Sequence, residues 1–419
     1  MIKRILLNEL KSHLLKKEFS LIVGPRQSGK TTLMLLLKDY LIKKGEKVVF
    51  LNLDVESDRI FFSSQEKLIS KIRLELGSGK GFVFIDEIQR KENAGLFLKG
   101  IYDIGLSYKF IISGSGSIEL KEKIHESLVG RKRIFELSTV SFLEFVNYRT
   151  AYKYEDRLSD FFKVETQKTN ELLNEYLHFG GYPRIITAES IEEKKREMDE
   201  IYQSYIEKDI SFLLNIQKTE KISELVKLLA SQIGRLINYH EISNILNLSS
   251  ETVKKYLWYL EKTFIINKVS PFFRNIRKEI TKSPVYYFHD IGFKNYSSGL
   301  FTSFGDIVDP GFVFQNFVFN ILKNIYPESS ISINFWRTLD KAEVDFIISS
   351  GRSFIPLEVK YKVLKSSEVT RSFRSFITKY NPKKALIVSL NYKDSIKINN
   401  TEVLFLPYYE LENIKEIFI

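Results

Sequence analysis

GPRQSGKT, running from Gly24 through Pro25, Arg26, Gln27, Ser28, Gly29 and Lys30 to Thr31, is the stretch that decides the fold. It fits G-x-x-x-x-G-K-[ST], follows an apolar run from Ser20 to Val23, and opens a helical pattern that stops at Gly45. Glycines let such a loop curl so that backbone N–H groups point inward and, with the positive end of the following helix, hold phosphate oxygens. On this reading Lys30 meets the β and γ phosphates of ATP, the Thr31 hydroxyl is a Mg²⁺ ligand, and Thr32 closes the binding stretch.

Working outward, "GFVFIDE" (Gly81 to Glu87) carries a buried-strand pattern ending in two acids. Asp86 is expected to hold Mg²⁺ through water, and Glu87 to orient the attacking water. Ser113, at the end of "KFIIS", is a candidate polar sensor of the γ-phosphate. Arg131, in "LVGRKR", either reaches a neighbour's nucleotide in a homo-oligomer or pairs with an acid on its own surface. Further strand patterns at "KVVFLNLD" and "RKRIFEL" alternate with helical stretches, which predicts an α/β core with a parallel sheet covered on both faces over residues 1–140. An amphipathic helix is expected over residues 2–17, from Ile2, Ile5, Leu6, Leu10 and Leu14.

Composition narrows the function classes. The 419 residues suffice for several domains, and 33 Phe and 22 Tyr supply their cores. With no cysteine, disulfides and thiolate metal sites are excluded, and the five histidines have no ligand-like spacing. No apolar run is long enough for a membrane span, which predicts a soluble, cytoplasmic protein. A net charge of +11 favours a polyanionic partner.

Beyond the core, residues 141–215 read as a helical segment with a break at "FGGYPR" (Phe179 to Arg184), and residues 216–298 as a winged-helix region. There "INYHEISNILNLSSETVKKYLWYL" has helix-turn-helix spacing. Ile242, Ile245 and Leu246 mark the first helix, Asn247-Leu248 the turn, and Val253, Leu257 and Leu260 the buried face of the second, capped by Ser249 or Ser250. Thr252, Lys254 and Lys255 are left facing outward, and "FIINKVSPFFRNIRKEI", with Arg274, Arg277 and Lys278, is expected to supply the wing. Nine Lys or Arg against four Asp or Glu between Glu251 and Lys294 favour contact with the phosphates of duplex or branched DNA.

The strings "GPRQSGKTTL", "FIDEIQR", "IISGSGSIEL", "ESLVGRKRIFELSTVSFLEF" and "FGGYPR", in this order, resemble archaeal and bacterial AAA-type ATPases with a C-terminal domain of unknown function, DUF4143, of nuclease-like fold. The resemblance implies an AAA-like ATP-binding core, a winged-helix region and, over residues 299–419, a tail similar to the restriction-endonuclease-like superfamily. In "EVDFIISSGRSFIPLEVKYK" residues two apart share a strand face, so Glu343 projects with Asp345, and Glu358 with Lys360. Asp345 and Glu358 are candidate metal ligands, with Lys360 placed to activate water, in the order seen in that superfamily. One departure stands out: Gln315 occupies the helical position where related nucleases carry an acid. Pro356 suggests an edge or a bulge in the second strand. Three functions follow: an ATPase coupled to DNA, a DNA endonuclease licensed by ATP, or a nucleotide-gated protein switch.

Overall fold

A computed structural model of the chain describes residues 1–114, 126–206, 220–272, 283–301, 307–327, 331–338 and 340–418. The front of the chain is a parallel sheet with helices on both faces. Its strands are β1 (Phe19–Val23), β2 (Val48–Asn52), β3 (Gly81–Asp86), β4 (Tyr108–Ser113) and β5 (Lys132–Glu136), in the spatial order β2-β3-β4-β1-β5. Period-two alternation sends Leu21, Val83 and Ile112 to one face and Ile22, Phe84 and Ile111 to the other, and all six are buried. Helices α1 (Leu6–Ser12) and α2 (Lys30–Lys43) cover the second face with Leu10, Leu33 and Leu37, while α3 (Gln65–Leu76) and α4 (Ala94–Asp103) cover the first. This is the P-loop NTPase fold, and the order matters: β4 lies between the strands that carry the glycine loop and Asp86.

The opening helix is shorter than its pattern. Residues 1–4 are non-helical: Ile2 is buried with Val140 and Phe142, and the Lys3 N–H donates to Tyr152 Oη at 2.8 Å. Those tertiary contacts outweigh helix propensity before Leu6.

A helical segment follows: α5 (Phe142–Arg149), α6 (Leu158–Val164), α7 (Thr166–Phe179), α8 (Pro183–Thr187) and α9 (Ile191–Gln203). Next come α10 (Glu220–Ser231), α11 (Tyr239–Leu246) and α12 (Ser250–Lys262), then the antiparallel pair β6 (Ile266–Val269) and β7 (Val285–Phe288). Asn247 makes the turn in left-handed conformation, and Ser249 Oγ caps α12 by accepting from the Thr252 N–H at 3.0 Å. Val253, Leu257 and Leu260 are buried as expected, but Ile245 is 57% exposed, on the outer side of α11. The stretch before Ser298 ends in a helix, α13 (Ile291–Ser297), capped by the Asp290 carboxylate.

The tail is a mixed six-stranded sheet, β8 (Ile331–Arg337), β9 (Glu343–Ser350), β10 (Ser353–Val359), β11 (Lys384–Ser389), β12 (Asp394–Ile398) and β13 (Thr401–Pro407), ordered β12-β13-β11-β10-β9-β8. Helix α14 (Pro310–Ile325) packs on one face and α15 (Arg371–Tyr380) on the other. Pro356 lies in an interior strand rather than at an edge; the ladder from β10 to β11 begins only at Leu357, so its missing N–H breaks no pairing on that side. Phe142, Leu177, Ile222, Leu257, Phe317, Phe346 and Leu386 belong to one continuous apolar core, so the helical segment, the three-helix unit and the tail pack as neighbours. Among the described residues no helix is long and apolar enough to cross a membrane.

Candidate active site

The phosphate loop links β1 to α2. A Cβ at Gly24 would fall 2.1 Å from the Leu137 carbonyl oxygen, so only glycine lets the chain leave β1 there. Gly29, the residue before α2, has φ +92°, which glycine adopts without strain. Among the described residues no side chain caps α2, and the first turn of such a helix is where an anion can be held. Lys30 is buried and folds back over the loop, its ammonium donating to the Pro25 carbonyl at 2.7 Å and the Gly24 carbonyl at 3.2 Å. Ser28 Oγ and Gln27 Oε1 are buried with no hydrogen-bond partner among the described residues. Thr32 is exposed on the first turn of α2.

Asp86 is fully buried at the end of β3, and its carboxylate organises the site. Thr31 Oγ1 donates to Oδ2 at 2.7 Å, while the Glu87 N–H (3.1 Å) and the Ser113 hydroxyl donate to Oδ1. Three of the predicted residues thus converge: Thr31 from the loop, Asp86 from β3, and Ser113 from the strand between. Glu87 is held at φ +57°, a conformation rare for glutamate and of the kind that clusters at functional sites. Burial pushes its carboxyl above the ordinary glutamate range, against a hydrogen bond from Gln89. Arg131 lies elsewhere. Its carbonyl accepts from the Phe19 N–H at the start of β1, a strand length of about 16 Å from the loop, and its guanidinium pairs with Asp103 at 2.9 Å.

Residues that sequence reasoning passed over surround the loop. The Arg26 N–H donates to Tyr205 Oη at 2.7 Å, so the loop's crown is tied to the helical segment just past α9. Asp290 binds the "FGGYPR" break, accepting from the Gly181 N–H at 2.8 Å, and a Cβ at Gly29 would lie 3.8 Å from Pro183. Arg4 donates to the Ser28 carbonyl at 2.9 Å. The break in helical periodicity at "FGG" was the available signal for the Gly181 and Pro183 contacts; a lone tyrosine or arginine carries none.

The second cluster sits on β9 and β10. Asp345 Oδ2 accepts from the Val359 N–H and Oδ1 from the Gln315 amide, each at 2.7 Å. Desolvation, reinforced by Glu358 and Glu343, pushes the Asp345 carboxyl up to about 7. Desolvation also raises Glu358, whose Oε2 has no hydrogen-bond partner among the described residues. Lys360 Nζ donates to the Glu368 carbonyl at 3.0 Å, and Glu343, exposed, pairs with Arg337 at 3.7 Å. On α12, Lys254 and Lys255 point to solvent, Lys254 passing over the Tyr239 ring at 5.2 Å, while Thr252 Oγ1 is spent on Ser249 at 2.8 Å. Arg274, Arg277 and Lys278 lie outside the described residues.

Residues 16–146 match the family described as an AAA domain, residues 170–303 a domain of unknown function (DUF8612), and residues 310–409 a domain of unknown function (DUF4143). The chain is an AAA-type P-loop ATPase with a C-terminal DUF4143 domain. Its activity is ATP hydrolysis. An uncharacterized protein of Haemophilus influenzae is 24% identical over 401 residues, covering 93% of this chain and 94% of that one. An uncharacterized protein of Methanocaldococcus jannaschii is 26% identical over 352 residues, covering 82% and 75%. Among solved structures, a Walker-type ATPase of Pyrococcus abyssi aligns with 14% identity and a TM-score of 0.45, over 71% of this chain and 96% of that one. The Aeropyrum pernix ORC1 protein, solved in complex with DNA, aligns with 13% identity and a TM-score of 0.31, over 70% and 91%.

Proposed function

We propose that this ATPase is magnesium-dependent and couples its nucleotide state to DNA held by a winged-helix unit. The observation that carries the reading is the Asp86 carboxylate bridging the hydroxyls of Thr31 and Ser113. Thr31 Oγ1 and Asp86 Oδ2, 2.7 Å apart, form the hard oxygen pair that suits Mg²⁺ completed by phosphates and water. When bound, the cation neutralises charge on the β and γ phosphates. Lys30 and the loop amides bind those phosphates, Ser113 senses the γ-phosphate, and Glu87 orients the water and takes up its proton.

Coupling has a structural route. Tyr205 and Pro183 bring the helical segment to the loop, and that segment shares its core with the three-helix unit. In the unit, α10 to α12 followed by β6 and β7 have the order of a winged helix, and the solvent face of α12 presents Lys254 and Lys255. The test is ATP turnover measured with and without duplex and branched DNA. Stimulation supports coupling; indifference to every DNA form, together with binding that does not weaken as salt rises, rejects it in favour of a nucleotide-gated protein switch.

A second reading, a metal-dependent endonuclease, is favoured by the meeting of Asp345 and Glu358 with Lys360 near by. In this reading the two carboxylates hold the metal. Gln315 works against it, because its amide donates to Asp345 and must be displaced before a cation can bind. Nicking assays in Mg²⁺ and Mn²⁺ decide: Asp345→Ala and Glu358→Ala abolish nicking if the reading is right, and nicking that persists in them refutes it.

A further inference from the structure

The N-terminal segment, residues 1–4, reaches the phosphate loop through Arg4. Arg4, 8% exposed, places Nη1 2.9 Å from the Ser28 carbonyl oxygen, Nη2 2.7 Å from that of Ser138 and 3.2 Å from that of Thr139, and Nε 3.1 Å from Glu144 Oε2. Glu144 is itself buried and fully engaged. It accepts from the Ile5 N–H at 2.6 Å and the Ser141 N–H at 2.9 Å, closing a capping box at the start of α5. Ile2, packed against Val140 and Phe142, anchors the segment that delivers Arg4.

We infer that Arg4, braced by Glu144, is a positioning residue for ATP binding, fixing the Ser28–Gly29 peptide of the phosphate loop. The peptide unit is planar and trans, so its C=O and N–H point in opposite directions. An arginine gripping the Ser28 oxygen from behind therefore turns the Gly29 N–H toward the side where phosphate sits. Gly29, free to adopt φ +92°, is the residue least able to hold that orientation unaided. Arginine suits the place because its rigid fork serves several acceptors at once, which one ammonium cannot do. The same fork grips Ser138 and Thr139, between β5 and α5, so the loop's peptide is registered against the helical segment.

The inference concerns the ATPase reaction and stands or falls independently of any DNA partner. Its test is steady-state ATP hydrolysis and thermal melting of the full chain carrying Arg4→Lys, and the double change Arg4→Met with Glu144→Gln. The double variant removes both charges together, because removing one alone would leave the other buried and unpaired. The expected result is a KM for ATP raised about 10- to 100-fold in both variants, the loss of one charged hydrogen-bond donor, with kcat changed much less. Arg4→Lys keeps a cation beside Glu144 and settles the matter if the double variant does not fold. A folded variant of either kind with unchanged KM overturns the inference, as does a fall in kcat alone.

Discussion

Asp86 and Asp345 both stand in sheet strands, both are largely withdrawn from water, and both accept hydrogen bonds on each oxygen, yet their donors differ in kind. Asp86 is met by the hydroxyls of Thr31 and Ser113 as well as the Glu87 N–H; Asp345 is met by a backbone N–H and the amide nitrogen of Gln315. A hydroxyl oxygen keeps lone pairs and can turn from donor to ligand when a cation arrives. An amide N–H cannot. On the proposed reading the front site would accept a metal and its phosphates with little rearrangement, whereas the rear site spends its carboxylate on holding α14 to β9 and β10. Acids of similar appearance in sequence thus differ in what their neighbours permit.

The largest effect that would break this contrast is at Glu87. Glu87→Gln should lower kcat about 10²- to 10⁴-fold while leaving nucleotide binding in place, as for loss of a general base, measured by phosphate release beside an ATP-binding titration. Lys30→Ala should cost turnover about 10²- to 10³-fold, the scale of one lost preorganised donor, and should weaken binding as well. Because burial raises the Glu87 carboxyl, the acid limb of the kcat profile should lie above the range of an exposed glutamate.

The rear site is sharpened by stability rather than turnover. The folded Asp345 carboxyl at about 7 lies above the 3.8 of an exposed aspartate, so the folded chain holds a proton that the unfolded chain has lost between those values. Stability should then fall as pH rises through that window, and be lowest above it. Asp345→Asn should flatten the dependence, raising the melting temperature at pH 8 by roughly 2–4 °C relative to the parent, and should leave ATP turnover unchanged. Smallest are the charges on α12. Lys254→Glu and Lys255→Glu should each reduce the salt dependence of DNA binding by about one counterion, seen as a shallower log–log slope.

Much of the front site was legible because it is local. A glycine loop between an apolar strand and a helix, and an acid pair ending a second strand, announce themselves within a few residues. The convergence of Thr31, Asp86 and Ser113 follows once β4 lies between β1 and β3. Arg4 and Tyr205 were not legible, since each acts on the loop's backbone from far along the chain and leaves no periodic trace. The helix-turn-helix was read correctly at the buried Val253, Leu257 and Leu260, and its first helix does carry Ile242, Ile245 and Leu246, with Ile245 on the solvent side. In the tail, spacing put Asp345 and Glu358 on neighbouring strands, but it had no means of showing that Gln315 would donate to one of them.

ATP hydrolysis measured in parallel for the parent chain, for Glu87→Gln, and for Asp345→Asn combined with Glu358→Gln tests the division of labour most directly. Turnover that collapses in the first variant and matches the parent in the second is the predicted result. Turnover that survives the loss of Glu87, or that falls with the rear pair, contradicts it.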